Sequence, residues 1–189
     1  FQGAYFESTN VNDVDFSSAN LYLANMAGGI NGTPSALPAG WFRLDHAVFD
    51  YQNEGYLAGP GVAWIRRGIY IPRPDLSSGI LNGKDLSGAV FTDLAFAGDD
   101  FSGVNLSGAL ISNTYFQGVN LNSANLSSAK LENVNFDLSD LRGVNLRGVE
   151  ARSISAFGAT LPIGWSLQKG FLIGPQAYLP DADLSAIEL

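Results

Sequence analysis

The sequence predicts an all-β fold whose backbone turns a corner every five residues. Large apolar residues recur at every fifth position from Leu76 to Leu146, fifteen in succession. A smaller apolar residue stands two positions before many of them, as Ala124 does before Leu126, and Asp or Asn often lies between the two. Ser and Gly usually follow. Asn, Asp, Ser and Gly are the residues that form tight turns, so each unit ends in a corner.

A period of five excludes both an α-helix and a straight strand. Each step of five residues turns an α-helix by about 140° from one large residue to the next, which spreads these residues over all faces. In a straight strand, successive large residues would point to opposite sides because five is odd. The pattern fits a repeated unit in which a short extended piece points both apolar side chains the same way before the corner.

Two of these units are Ala124-Asn125-Leu126-Ser127-Ser128 and Val144-Asn145-Leu146-Arg147-Gly148. They resemble the pentapeptide-repeat family, A(D/N)LXX, and the resemblance extends over about two-thirds of the chain. It implies a right-handed quadrilateral β-helix with four pentapeptides in each coil, so that residues twenty apart stack. The columns implied are Leu86, Leu106, Leu126 and Leu146 inside, Phe96, Phe116 and Phe136 inside, and Asp85, Asn105, Asn125 and Asn145 at a corner.

The period divides the chain into five segments. Because the chain starts with Phe1 and the repeats run on to Leu189, we expect it to be a piece of a longer product. The segments are N-terminal repeats (1–26), an insertion rich in aromatic residues and Arg (27–75), the main repeat run (76–154), a second interruption (155–176) and resumed repeats (177–189).

The two interruptions are copies of one module. Leu37-Pro38-Ala39-Gly40-Trp41 corresponds to Leu161-Pro162-Ile163-Gly164-Trp165, and Gly55 to Pro60 corresponds to Gly170 to Pro175. We predict a hairpin in the second copy, and a protruding, aromatic-rich hairpin or loop in the first, which carries about nine extra residues between Trp41 and Gly55. Some long bacterial members of the resembled family are similar, with repeat runs interrupted by such Gly-Trp...Gly-Pro segments.

The first interruption contains the candidate interaction residues. Trp, Tyr and Arg are the residue types that dominate protein interfaces, and four of the seven Arg residues lie here. The same side chains could instead form a small satellite core that packs the insertion onto the solenoid. The candidates are Trp41, Arg43, Tyr51, Tyr56, Trp64, Arg66, Arg67, Tyr70 and Arg73.

Composition and motifs argue against catalysis, cofactor binding and metal binding. The chain has no cysteine and one histidine, His46, which we interpret as solvated surface together with Asp45, Asp50 and Glu54. No phosphate-binding glycine loop, nucleophile elbow or paired-carboxylate motif occurs, so we expect no catalytic residue, no cofactor and no metal site. The net charge of −8 disfavours direct nucleic-acid binding. No apolar run approaches the roughly 20 residues of a membrane-spanning helix.

Two charged residues, Lys84 and Asp99, occupy inner positions that hold Ala or Val in other units. They could form an ion pair between neighbouring sides of adjacent coils, or both side chains could reach water. We favour the second interpretation, because buried ion pairs rarely stabilise a fold.

These observations predict a non-catalytic structural or protein-interaction scaffold that associates end to end with copies of itself, in a fibre or surface layer. Open coil ends present unpaired backbone groups that favour such stacking. One alternative is an acidic mimic of DNA that acts on DNA gyrase, as the resemblance to quinolone-resistance pentapeptide proteins suggests. Another is carbohydrate binding by the aromatic insertion. Scarce Lys and abundant Ser, Asn and Gly favour a location outside the cell or at its surface.

Overall fold

The protein is a right-handed quadrilateral β-helix of about six turns. The computed structural model describes residues 1–6, 9–25, 30–44, 54–65, 76, 78–180 and 185, with only the backbone of 54–56 and 64–65. Within this part all regular structure is strand, and no helix is long and apolar enough to cross a membrane. The strands are β1 (Thr9–Asn10), β2 (Ile30–Asn31), β3 (Phe42–Leu44), β4 (Glu54–Ala58), β5 (Ala63–Ile65), β6 (Val90–Thr92), β7 (Ala95–Ala97), β8 (Leu110–Gln117), β9 (Lys130–Asn135), β10 (Glu150–Arg152), β11 (Ser166–Gln168) and β12 (Phe171–Ile173).

Coils of twenty residues stack in register along the main run, as predicted. β8 pairs in parallel with β9, and β9 with β10, so that Leu110, Lys130 and Glu150 lie side by side in successive coils. Each coil has four walls. We name them by the large buried residues at their centres: wall A (Phe101, Leu121, Leu141), wall B (Leu86, Leu106, Leu126, Leu146), wall C (Phe91, Ile111, Leu131, Ala151) and wall D (Phe96, Phe116, Phe136).

The lumen is filled by the predicted inner columns. All four Leu residues of wall B are buried, and so are the three Phe residues of wall D. The ring centroids of Phe96 and Phe116 are 5.1 Å apart, and those of Phe116 and Phe136 are 5.5 Å apart, both in stacked orientation. Burial of each such side chain contributes about 2 kcal/mol before the loss of conformational entropy is subtracted.

The corners explain the small and polar residues of each repeat. Gly103 has φ +67° and Gly108 has φ +66°, a region that glycine adopts at little cost. Across the turn at Gly103, the N–H of Val104 donates to the carbonyl of Phe101. The Asx side chain before the large residue accepts a backbone N–H two positions later, as Asn105 Oδ1 does from Ser107 at 3.2 Å.

The walls continue through part of the first interruption, although the five-residue period stops there. β2 pairs in parallel with β1, and Ala63 of β5 pairs with Asn25, 38 positions earlier instead of 20. β5 also pairs in parallel with β6, which joins the N-terminal coils to the main run. The boundaries of the five segments stay predictions. The nine extra residues near Asp45 to Asn53, which we expected to protrude, lie outside the described residues.

The expectation that Lys84 and Asp99 both reach water is wrong for Asp99. Lys84 is exposed, and its Nζ lies 5.1 Å above the ring of Phe42. Asp99 is only 2% exposed, because the regular coil keeps the small inner position before wall A inside. The ion pairs of the described residues do not include one between these two side chains.

Candidate functional site

The two interruptions share one local structure, which we call the Gly-Trp module. In the second module, β11 and β12 form an antiparallel hairpin that pairs Ser166 with Ile173. In the first, β3 and β4 pair Phe42 with Ala58 in the same arrangement. The N–H of each module's Trp donates to the carbonyl of the Pro three residues earlier, at 3.0 Å for Trp41 and 3.1 Å for Trp165.

Each Trp side chain packs on a glycine of the opposite strand. A Cβ added to Gly59 would lie 2.6 Å from Cγ of Trp41, and one added to Gly174 would overlap the indole of Trp165. No real side chain tolerates such a contact, so the indole uses the space that the missing Cβ leaves. The glycine before Pro60 and the glycine before Pro175 are therefore part of the packing of their modules.

Both modules interrupt the coil at the same place. The first module follows Ala36, which pairs with Asp15, and the second follows Thr160, which pairs with Asp140. The chain rejoins the walls at Ala63, which pairs with Asn25, and at Tyr178, which pairs with Glu150. In each case the module replaces the wall B pentapeptide of its coil.

The hairpins lie across the lumen. At the tip of the second hairpin, the Gly170 carbonyl accepts the N–H of Ile154, at the corner between walls C and D. Gly55 of the first module pairs with Ile30, which occupies the corresponding corner. The inward residues Leu57 and Leu172 are fully buried in the core cluster. Each hairpin therefore starts at wall A, crosses to the far corner and returns to wall B.

This arrangement assigns a packing role to one predicted interaction residue. Trp41 is half-buried against Gly59, which agrees with the satellite-core interpretation, and Arg43 is half-buried on β3. Only the backbone of Tyr56 and Trp64 is described. The other candidates, Tyr51, Arg66, Arg67, Tyr70 and Arg73, lie outside the described residues, and so does His46. The docking surface of the insertion therefore stays a prediction.

Wall B carries a ladder of amide hydrogen bonds along its corner column. Asn105 Nδ2 donates to Asp85 Oδ1 at 2.9 Å, and the same bond follows from Asn125 to Asn105 and from Asn145 to Asn125, both at 3.0 Å. Asp85 is the first residue of this column. Its side chain therefore only needs to accept a hydrogen bond from the next coil. The side-chain amides of this column therefore already have hydrogen-bond partners in neighbouring coils.

The carboxylates of walls A and D stabilise turns. Arg142 donates to both carboxylate oxygens of Asp140, and with the Arg142 backbone N–H it lowers the pKa of that carboxyl to about 2. The hydroxyl of Ser155 and the N–H of Phe157 lower the pKa of Asp137. Desolvation opposes the shift at Asp100, but hydrogen bonds from Ser102, Asn82 and Asn120 bring its pKa below the ordinary value. The described residues contain no group of side chains that could hold a metal ion.

Wall C is the surface that our reading of the sequence missed. β5, β6, β8, β9 and β10 form a continuous parallel sheet, in which Phe91, Ile111, Leu131 and Ala151 are buried. Its central exposed residue, Leu110, is 47% exposed, and Lys130 Nζ lies 3.5 Å from Glu150 Oε2. Alignment of residues twenty apart would have shown its two outward rows, which are Val90, Leu110, Lys130 and Glu150, and Thr92, Ser112, Glu132 and Arg152.

Comparison with solved structures finds several similar chains. A protein of the Arabidopsis thaliana thylakoid lumen is 28% identical with a TM-score of 0.32; the match covers 42% of this chain and 59% of that one, less than two thirds of its length. Rfr23 of the cyanobacterium Cyanothece 51142 is 17% identical with a TM-score of 0.43, covering 84% and 88%. QnrB1, a plasmid-mediated fluoroquinolone resistance protein, is 15% identical with a TM-score of 0.44, covering 96% and 84%.

Comparison with curated protein sequences finds no match. The family profile for pentapeptide repeats, in contrast, matches eight copies in this sequence. The matched residues are 1–29, 75–108, 100–137 and 109–148, which together make up more than half of the chain. On the strength of these repeats, stacked in twenty-residue coils, the chain belongs to the pentapeptide-repeat family.

Proposed function

We propose that this chain is a non-catalytic scaffold that binds other proteins through the walls of its solenoid. The observation that carries the proposal is the in-register stacking of coils from Leu81 to Thr160, which holds outward side chains in straight columns. Proteins of the pentapeptide-repeat family are generally non-catalytic and act through protein interactions, which supports the same conclusion.

Rigidity is what such a surface contributes to binding. Neighbouring coils lie about 4.8 Å apart, and backbone hydrogen bonds on every wall fix that spacing. The buried columns of Leu and Phe prevent the walls from collapsing or sliding. A partner that binds a wall therefore orders few side chains of this protein, which lowers the entropic cost of association.

Photo-crosslinking from one coil tests this proposal. Ser102, Ser107, Ser112 and Gln117 occupy equivalent outward positions on walls A, B, C and D of a single coil. We expect a photoreactive residue on one wall to capture a defined partner, while the same residue on the opposite wall does not. Capture that is independent of the wall, or absent from all four, would contradict a wall-specific scaffold.

We also propose, as the sequence predicted, that copies associate end to end. Hydrogen bonds between coils run along the rod, as from Gly83 N–H to the Ser102 carbonyl, and the same groups at a coil edge can pair with a second chain. Sedimentation velocity and electron micrographs should show rods that lengthen with concentration. A single monomeric species at every concentration would refute this stacking. A fibre or surface layer of this kind accords with the proposed location outside the cell or at its surface.

The alternatives from the sequence receive less support. A mimic of DNA needs carboxylates in rows, but the described ones are spread over several walls, for example Asp100 and Asp140 on wall A, Asp85 on wall B, Glu132 and Glu150 on wall C and Asp137 on wall D. A gyrase supercoiling assay tests that alternative. Carbohydrate binding depends on aromatic residues of the insertion that are mostly outside the described part, and a glycan array tests it.

A further inference from the structure

We propose that wall C is a surface at which two copies of this chain pair side by side, with their rods parallel. The wall is a parallel sheet of β5, β6, β8, β9 and β10, each strand in register with the next. It is a separate surface from the coil ends proposed for end-to-end association, and the two contacts can be tested independently.

The two outward rows of wall C are complementary to each other. Within β9 the first row holds Lys130 and the second holds Glu132; within β10 the order is reversed, with Glu150 in the first row and Arg152 in the second. The earlier strands β6 and β8 place apolar residues in the first row and hydroxyl residues in the second, namely Val90 and Leu110 opposite Thr92 and Ser112.

A two-fold axis parallel to the rod converts this pattern into an interface. The axis brings the first row of one copy against the second row of the other, strand by strand. Lys130 then faces Glu132 of the partner subunit, and Glu150 faces Arg152 of the partner subunit. Leu110 faces Ser112 of the partner subunit, so the centre of the contact is uncharged.

The antiparallel arrangement fails by the same test. A two-fold axis perpendicular to the rod and parallel to the strands would place the charged strands β9 and β10 over the apolar side chains of Val90 and Leu110. Charges covered in this way lose hydration without gaining a partner, which is costly. The pattern of the two rows therefore specifies parallel rods.

Charge and exposure favour a second copy as the occupant. The chain as a whole carries a net charge of −8, yet the four charged residues of these rows sum to zero, so the contact brings no net like charge together. The Lys130 side chain is 66% exposed, and Glu132 is exposed without an ion pair among the described residues. Lys130 also lies 3.5 Å from Glu150 of its own chain, but both side chains remain accessible to a partner.

The size of wall C sets the expected strength. The four strands that carry the two rows, at about 4.8 Å spacing, give a contact roughly 19 Å long, which makes the buried area smaller than that of most specific interfaces. We therefore expect a weak dimer whose population rises with protein concentration.

Sedimentation equilibrium of charge-reversal variants tests the pairing. Lys130→Glu places a carboxylate opposite Glu132 of the partner subunit in both halves of the dimer, and we expect it to weaken dimerisation by about tenfold or more. Lys130→Glu combined with Glu132→Lys restores opposite charges across the two-fold axis, so the dimer should return. Arg147→Glu changes the charge by the same amount on wall B and should leave dimerisation unchanged.

Three results would overturn the proposal. The first is a wild-type chain that stays monomeric up to about 1 mM, where even millimolar affinity gives a visible dimer. The second is a dimer that Lys130→Glu does not weaken, which would indicate another contact, such as the coil ends. The third is a double variant that remains as weak as the single one, because only facing rows of two copies predict the recovery.

Discussion

Replacement of Phe116 by alanine tests the stacked interior directly. Phe116 is 1% exposed and lies between Phe96 and Phe136, with a third ring, Phe101, edge-on at 5.6 Å. Its removal takes an aromatic side chain out of the middle of the column and leaves a cavity that three rings line. Buried Phe→Ala substitutions cost about 3–5 kcal/mol, and the loss of ring contacts on both sides places this one at about 4 kcal/mol.

Guanidinium unfolding followed by circular dichroism measures this effect. We expect a lower midpoint for Phe116→Ala, and a shallower transition as well, because a solenoid coil is held only by its neighbours and a weak coil uncouples the two halves. Phe157→Ala is the matched control: Phe157 is 81% exposed on wall D, so its loss should change stability by less than about 0.5 kcal/mol.

Equal midpoint shifts for the two Phe variants would refute the reasoning. That result would mean that the columns twenty residues apart do not carry the stability of the rod. If Phe116→Ala lowered the stability strongly without making the unfolding transition shallower, the buried Phe column would be supported. The idea that each coil is held only by its neighbours would be contradicted.

Three further predictions concern the module, the ladder and pH. Gly174→Ala pushes a methyl group into the Trp165 indole and should cost about 1–3 kcal/mol by thermal unfolding, whereas adding Trp165→Ala should cost less than the sum of both changes. Asn125→Asp removes the donor of the wall B ladder and should destabilise the chain by about 1–3 kcal/mol in urea, whereas Asp85→Asn, which keeps an acceptor, should stay within about 0.5 kcal/mol. The carboxyl of Asp140 has its pKa lowered from 3.8 to about 2 in the folded chain, so its stabilising effect is present above pH 3.8 and is lost as the pH falls toward 2; the thermal midpoint should drop across that window, and less so in a variant without the Asp140 carboxyl.

The regular part of the fold could be predicted because its constraints are local and repeated. Each unit contains its own inward pair, such as Val104 and Leu106, and its own corner residue, Gly108. The family resemblance supplied the coil length of twenty, and the structure confirms it through the pairing of Asn105 with Asn125. The Phe column and the amide ladder follow directly from that number.

The Gly-Trp modules could be recognised as copies, but not placed. Sequence shows that Gly170 corresponds to Gly55, yet nothing local indicates that both lie at the corner occupied by Ile154 and Ile30. The direction of a hairpin depends on which apolar surface is open to it, and here that surface is the interior of the coils. The exposure of Lys84 and the burial of Asp99 likewise depend on the neighbouring coils.

The five-residue unit, the residues that fill the lumen and the residues that form corners follow from the amino-acid sequence alone, because these depend on side-chain size and turn preference within a few positions. Only the three-dimensional structure shows that both hairpins cross the lumen and that Lys130 pairs with Glu150 of the next coil. Both relations join residues on different turns of the chain, and only the closed coil brings such residues together.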